Sequence, residues 1–289
     1  MELTAHFPFR SADARGAFLA RYDRVAAGWP VECTTQTVET PFGGTFVRDS
    51  GARSARPVVL LNGAGANSLR WSANVAALAR HFRVIAVDCI YDFGRSTPIR
   101  LPAVEGEIVA WLDALLDGLA LTRDVHLVGH SYGAWVAARY ALLRTERVAS
   151  TVLLAPAATV LPLARAWWVR AILAQMGSAR LTKSFIYWLM SDLPPAELLE
   201  RADDAVFAAR SFLPRRLVPP TVLSDVEWRC LGARALLLVG AREKIYDARR
   251  AVRRLRDVAP DVATEIVPDA GHGLAVSQAE IVNAKMVAF

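Results

Sequence analysis

The sequence predicts an α/β fold, a mostly parallel central sheet covered by helices and interrupted by a helical insertion. Short apolar runs recur along the chain, each followed by a segment with helical spacing. The runs are nearly continuous in apolar residues, the mark of strands buried on both faces of a parallel sheet. The alternation stops near residue 157 and resumes near 229. With 289 residues, 54% of them hydrophobic and 21% charged, there is ample material for a core. That excludes a disordered chain and allows one large domain with an inserted subdomain.

Met1 to Arg10 carries Glu2, His6 and Pro8 and lacks the basic, apolar, small-residue order of a signal peptide. Thr35 to Arg48 alternates and contains Pro41, Gly43 and Gly44, which suits an antiparallel hairpin at the sheet edge. Val58 to Asn62 is a buried-strand run ending in glycines, and Ser68 to Arg80 has helical spacing through Leu69, Val75, Leu78 and Ala79. Phe82 to Asp88 is the second strand. Glu105 to Leu119 is a helix with Ile108, Trp111, Leu112 and Leu115 on one stripe. Val125 to Gly129 is a third strand followed by a helix from Tyr132 to Arg144, and Val148 to Ala155 is a fourth. Residues 157–228 hold no convincing strand. They are rich in Trp167, Trp168, Phe185, Tyr187 and Trp188 and punctuated by prolines, so they read as a helical cap over the sheet. Ala235 to Gly240 is then a strand, Ala248 to Asp257 a helix, Val262 to Pro268 a strand and Ala279 to Ala288 a helix. The expected division is a core of residues 1–156 and 229–289 and a cap of residues 157–228.

Charge and cysteine narrow the class. The net charge is +6, and lysine occurs only at 183, 244 and 285, so arginine supplies nearly all the positive charge. Its densest cluster is Arg249, Arg250, Arg253, Arg254 and Arg256, which reads as the solvated face of an amphipathic helix, with an anionic or carrier-protein patch as the alternative. No nucleic-acid partner is expected. Cys33, Cys89 and Cys230 are odd in number and widely spaced, so neither a disulfide nor a metal site is expected. No run of apolar residues is long enough for a membrane span. The expected setting is cytoplasmic, without cofactor or metal.

The sharpest motif is Gly129-His130-Ser131-Tyr132-Gly133, a G-x-S-x-G segment between an expected strand and an expected helix. A serine at the apex of such a turn is strained, and its neighbours two residues away come too close for side chains. The following helix aims its free amides at charge developing beside Ser131. A serine needs a base. Of the five histidines, His6, His81 and His126 are poorly placed, and His130 should point away from the serine. His272, in the glycine-flanked loop after the last strand, shares the sheet edge of Ser131. A carboxylate should hold the imidazole in the working tautomer. Glu243, three residues past the strand ending at Gly240, is favoured; Asp247 is the alternative, although it also suits a helix cap. The oxyanion needs two backbone donors. Tyr132 supplies one. The loop Asn62-Gly63-Ala64-Gly65-Ala66-Asn67 supplies the other, assigned to Ala64. That loop fits no phosphate-binding fingerprint.

Leu61-Asn62-Gly63-Ala64-Gly65 with Trp71, Val87-Asp88 before Asp92-Phe93-Gly94-Arg95-Ser96, Gly129 to Gly133, Gly240 to Glu243 and Ala270-Gly271-His272 together resemble the α/β-hydrolase superfamily, specifically its soluble, helically capped serine hydrolases. The resemblance spans nearly the whole chain and implies a Ser131–Glu243–His272 triad. Relatives usually carry His-Gly where this chain has Asn62-Gly63, so Asn62 either donates to substrate or only holds the loop. The usual Gly-x-Gly-x-Ser segment has Asp92 in place of its first glycine. The expected activity is cleavage of an ester or thioester through an acyl-enzyme on Ser131. The substrate is expected to be a small molecule with an apolar or aromatic acyl group, with an acyl-carrier partner possible. Acyl transfer or cyclisation with a nucleophile other than water is the first alternative. A lyase or binding protein on the same scaffold is the second.

Overall fold

The computed structural model describes residues 6–289. Helix α1 (Ala12–Ala26) begins at Ser11, whose side chain accepts from the Ala14 amide, and buries Phe18 and Tyr22. The hairpin β1 (Cys33–Thr40) and β2 (Gly43–Ser50) follows. Its turn is closed by the Thr40 hydroxyl, which donates to the Gly43 carbonyl. Strand β3 (Pro57–Leu61) leads through a short 3-10 turn, Ser68–Trp71, into α2 (Ser72–Leu78). The helix expected over 68–80 is thus split. Asn67 accepts from the Leu69 amide and Asp88 takes the Ser68 amide, which holds the first turn tight.

Next come β4 (Arg83–Val87), the two-residue β5 (Thr97–Pro98), α3 (Glu105–Gly118), β6 (Val125–His130), α4 (Tyr132–Leu143) and β7 (Val148–Leu154). Three helices then intervene, α5 (Arg165–Ala174), α6 (Ala179–Leu189) and α7 (Pro195–Ser211). Helix α8 (Asp225–Leu231) opens with a capping box between Ser224 and Glu227. The expected boundary at 228 falls inside α8, whose Trp228 is fully buried in the main core. The chain ends with β8 (Ala235–Gly240), α9 (Ala248–Val258), β9 (Ala263–Val267), α10 (Leu274–Ser277) and α11 (Ala279–Ala288).

The sheet order is β1-β2-β4-β3-β6-β7-β8-β9, with β5 on β2. The β1–β2 and β2–β4 pairs are antiparallel and every pair from β4 to β9 is parallel. One face buries Trp111, Trp135, Tyr140 and Trp228 under α3, α4, α8 and α9; the other buries Trp71, Leu78 and Met286 under α2 and α11. Truncating any of the buried tryptophans to alanine would cost about 3–5 kcal/mol. The strand order reverses between β3 and β6, and such a switch point opens a crevice beyond the carboxyl ends of the strands. The loops after β3 and β6 flank it.

Helix α9 carries the arginine cluster. Arg249, Arg250, Arg253 and Arg256 are exposed as expected. Arg254 is not on that solvated face. It turns inward to the carbonyls of Val160 and Leu223 and to Asp225, tying the stretch of chain before α5 to the start of α8.

Candidate active site

Ser131 sits between β6 and α4 with φ 54° and ψ −112°, a left-handed backbone that a non-glycine residue adopts only under constraint. The constraint is visible. Its amide donates to the Leu154 carbonyl at 2.9 Å, and its carbonyl accepts from Ala157 at 3.0 Å, so β7 grips the turn. A Cβ on Gly129 would strike the Gly133 backbone, and one on Gly133 would strike the carbonyls of Leu61 and Asn62. The two motif glycines are therefore what let α4 pass close over β3 and β6.

His272 follows β9. Its Nε2 is 3.0 Å from Ser131 Oγ and its Nδ1 is 3.0 Å from Glu243 Oε2. Both partners of that second contact are buried, with side chains 3% and 0% exposed. The other Glu243 oxygen accepts from the amides of Lys244 at 2.7 Å and Ile245 at 3.1 Å. Burial opposes the Glu243 charge, but the His272 ring, its hydrogen bond and these amides outweigh it and hold the carboxyl below the ordinary range. Asp247, the alternative, caps α9 instead and accepts from the Arg250 amide at 2.7 Å.

The Ala64 amide has no acceptor among the described residues. Tyr132, first residue of α4, has no acceptor within its helix. A Cβ on Gly63 would meet His130 Nδ1 and Ser131 Cβ, each at 3.1 Å, which puts this loop beside the serine. Asn62 is 1% exposed, and its Nδ2 donates to the Gly63 carbonyl at 3.0 Å, the loop-holding one of its two expected roles. The Tyr132 hydroxyl donates to Val218, between α7 and α8. Of the expected cap aromatics, Trp167 and Trp188 pack with Phe185 against the main core, whereas Trp168 and Tyr187 face outward.

Three groups escaped the sequence. His130 does not point away from the site: its Nε2–H donates to the His272 carbonyl at 2.8 Å, with the rings 5.0 Å apart. Burial, then the neighbouring His272, push its pKa down to about 4, so it stays neutral and adds no charge beside the base. Asp192, between α6 and α7, accepts from the Gly273 amide at 3.1 Å and from the Ser277 hydroxyl at 2.6 Å, pinning the histidine loop to the insertion. Asp92 accepts the Gly65 amide on both oxygens at 3.0 Å and the Phe93 amide at 2.8 Å. Burial raises it to about 7 despite Arg215, which donates to the Asp92 carbonyl and lies over the Phe93 ring at 4.0 Å. Arg215 is in turn lowered to about 10 by burial. The replaced glycine is thus a clamp on the loop that carries Ala64. A cavity of about 370 Å³ lies behind that loop, between α1 and α7, but its lining lacks Ser131 and His272. The three-residue relay, not this volume, is the candidate reaction centre, because it brings a nucleophile, a base and its orienting group together.

A strained serine after a strand, a histidine and a buried carboxylate from two later loops, and free amides on either side define the class. Residues 58–285 match the model of the alpha/beta hydrolase family, and the chain belongs to that family. Two relatives from Bacillus subtilis (strain 168) are each 31% identical. An uncharacterized carboxylesterase, nap, aligns over 93% of this chain and 90% of its own length. Carboxylesterase YbfK aligns over 97% and 96%. The crystal structure of naproxen esterase (carboxylesterase NP) from Bacillus subtilis superposes with a TM-score of 0.87 at 30% identity, covering 97% of this chain and 99% of that one. Among the described residues, no helix is long and apolar enough to cross a membrane.

Proposed function

We propose that the protein is a carboxylesterase that works through an acyl-enzyme on Ser131. The observation that carries the reading is the continuous relay Ser131 Oγ–His272 Nε2 and His272 Nδ1–Glu243, with 3.0 Å at each contact. Glu243 accepts a hydrogen bond from Nδ1–H, which keeps the ring proton there and leaves Nε2 unprotonated and facing the serine. As Ser131 Oγ adds to the ester carbonyl carbon, Nε2 takes its proton. The carbonyl oxygen becomes an oxyanion held by the Ala64 and Tyr132 amides, with the α4 N-terminus behind them. The carbon–alkoxy bond then breaks and the leaving oxygen takes the proton from His272. Water repeats the sequence: His272 accepts its proton, the hydroxyl adds to the acyl carbon, and the acid leaves as Ser131 is reprotonated. Each oxyanion donor is worth about 3–4 kcal/mol of barrier in such sites.

The substrate class is a small ester with an apolar or aromatic acyl group. The naproxen esterase named above supports this by its name.

The experiment is labelling with a fluorophosphonate, read by intact mass, on the wild type and Ser131→Ala. One stoichiometric adduct, absent from the variant, is expected. A folded wild type that takes no adduct, or a variant that keeps ester turnover, would overturn the reading.

A further inference from the structure

Helix α5 lies on the outside of the insertion and packs chiefly on α6, which in turn packs on α7. The side of α5 turned away from α6 is apolar. Trp168, Val169, Ile172, Leu173 and Met176 are 49%, 58%, 59%, 39% and 70% exposed. Their spacing places them on one face, extended two residues past the helix end by Met176. A helix of a water-soluble domain ordinarily turns such a stripe inward. A contiguous exposed patch of this extent marks a surface that meets something else.

The charge around the patch says what. From Ala157 to Ser191 the sequence has no aspartate or glutamate and has Arg165, Arg170, Arg180 and Lys183. Lys183 pairs with Asp203 on α7. Arg165 and Arg180 are exposed, and Arg170 lies over the Trp188 ring at 5.1 Å. Among the described residues none of these three arginines has a carboxylate partner. The face is therefore an apolar centre flanked by uncompensated positive charge, with a tryptophan at its margin.

We propose that the outer face of α5 docks reversibly on an anionic lipid surface. The apolar side chains enter the headgroup boundary, the arginines meet lipid phosphates and the tryptophan sits at the interface. A second copy of the chain fits the charge poorly. A two-fold pairing would bring this face, which has Arg165 and Arg180 and no carboxylate from residue 157 to 191, onto an identical face of the other copy. One short helix with few cations gives salt-sensitive attachment, not anchoring. The docking is independent of the ester reading, because it requires neither Ser131 nor turnover.

The test is cosedimentation of the full chain with vesicles of equal parts phosphatidylcholine and phosphatidylglycerol, and with vesicles of phosphatidylcholine alone. Binding is expected to the mixed vesicles, about tenfold or more weaker to the neutral ones, and weakened by added salt. Ile172→Ser with Met176→Ser should lower partitioning by about tenfold or more, and so should Arg165→Glu with Arg180→Glu. Circular dichroism and turnover of a water-soluble ester, unchanged in both, show that the variants are folded. Folded wild type that fails to sediment with the mixed vesicles would overturn the proposal. So would variants that bind as the wild type does. Self-association in sedimentation velocity that Ile172→Ser with Met176→Ser abolishes would assign the face to a second copy instead.

Discussion

Replacing Glu243 by glutamine tests the site at its least visible member. Glutamine has the same shape, so the side chain can keep its place between His272 and the loop after β8. Its two ends are no longer equivalent. One end of the Glu243 carboxylate faces the amides of Lys244 and Ile245, at 2.7 and 3.1 Å, and the other faces His272 Nδ1. Glutamine must turn its oxygen to the two backbone donors, because the opposite orientation leaves both buried N–H groups facing an NH2 group. At about 1–3 kcal/mol for each orphaned donor, that orientation is disfavoured by about 4 kcal/mol. The amide NH2 then faces Nδ1, which must accept, and the ring proton moves to Nε2. The nitrogen beside Ser131 can no longer take a proton. A penalty of about 4 kcal/mol for recovering the working tautomer is about a thousandfold in kcat. KM should change little, since no substrate contact is lost. Steady-state ester hydrolysis and the rate of fluorophosphonate labelling should fall together, with little change in melting temperature. A loss under about tenfold would refute the tautomer argument. The paired control is Asp247→Ala, which should remove about 1 kcal/mol of stability through the lost α9 cap and leave turnover within about twofold. The reverse outcome, activity lost in Asp247→Ala and kept in Glu243→Gln, would transfer the role to Asp247.

Other consequences follow from the surrounding contacts. Gly133→Ala places a Cβ against the backbone carbonyls of Leu61 and Asn62, which cannot move aside, so urea denaturation should show a loss of about 3 kcal/mol or more and labelling of Ser131 should fail. Asp192→Ala removes the acceptor for the Gly273 amide; kcat should drop about tenfold from a loosened His272 loop, with Asp192→Asn partly restoring it. Asp92 rises from an ordinary 3.8 to about 7 on folding, so folding takes up a proton between those values. That contribution is complete below the unfolded value and is lost as pH rises through about 7. Wild type should therefore gain about 1 kcal/mol over Asp92→Asn between roughly pH 8 and pH 6, measured by chemical denaturation, and a flat difference would contradict the raised carboxyl.

What the sequence could disclose divides along a physical line. Strands β3, β4, β6, β7 and β8 lie within the sheet between helices on both faces, so each is mostly apolar and legible without a partner, although His126 on β6 and Ser150 on β7 interrupt the runs and bond each other. The same holds for the serine turn, where two glycines are demanded by local contacts within the segment and its neighbouring strand. Position along the chain also favoured Glu243 over Asp247. A residue three beyond a strand end remains at the sheet edge, whereas Asp247 immediately precedes a helix whose free amides need an acceptor. Helix α1 was not legible, since its buried side is little more than Phe18 and Tyr22. Its packing depends on Phe9, just before it, and on Phe212, nearly two hundred positions away at the end of α7.

The supporting groups of the site share that second property. Asp192 meets Gly273 across 81 positions, His130 meets His272 across 142, and Arg215 meets Asp92 across 123. No local pattern encodes such contacts, because each requires the fold to be complete before the two groups are neighbours. Asp92 is the instructive case. The sequence showed it only as a missing glycine, a departure that weakened a motif. In the folded chain the same residue supplies two carboxylate oxygens to the Gly65 amide and one to Phe93, and its burial shifts it toward neutrality against the opposing charge of Arg215. A charged residue in a position that usually needs no side chain must find buried partners or be expelled to solvent. Here it found the loop that carries Ala64. The departure from the motif and the clamp on that loop are therefore one substitution, seen first without its partners and then with them.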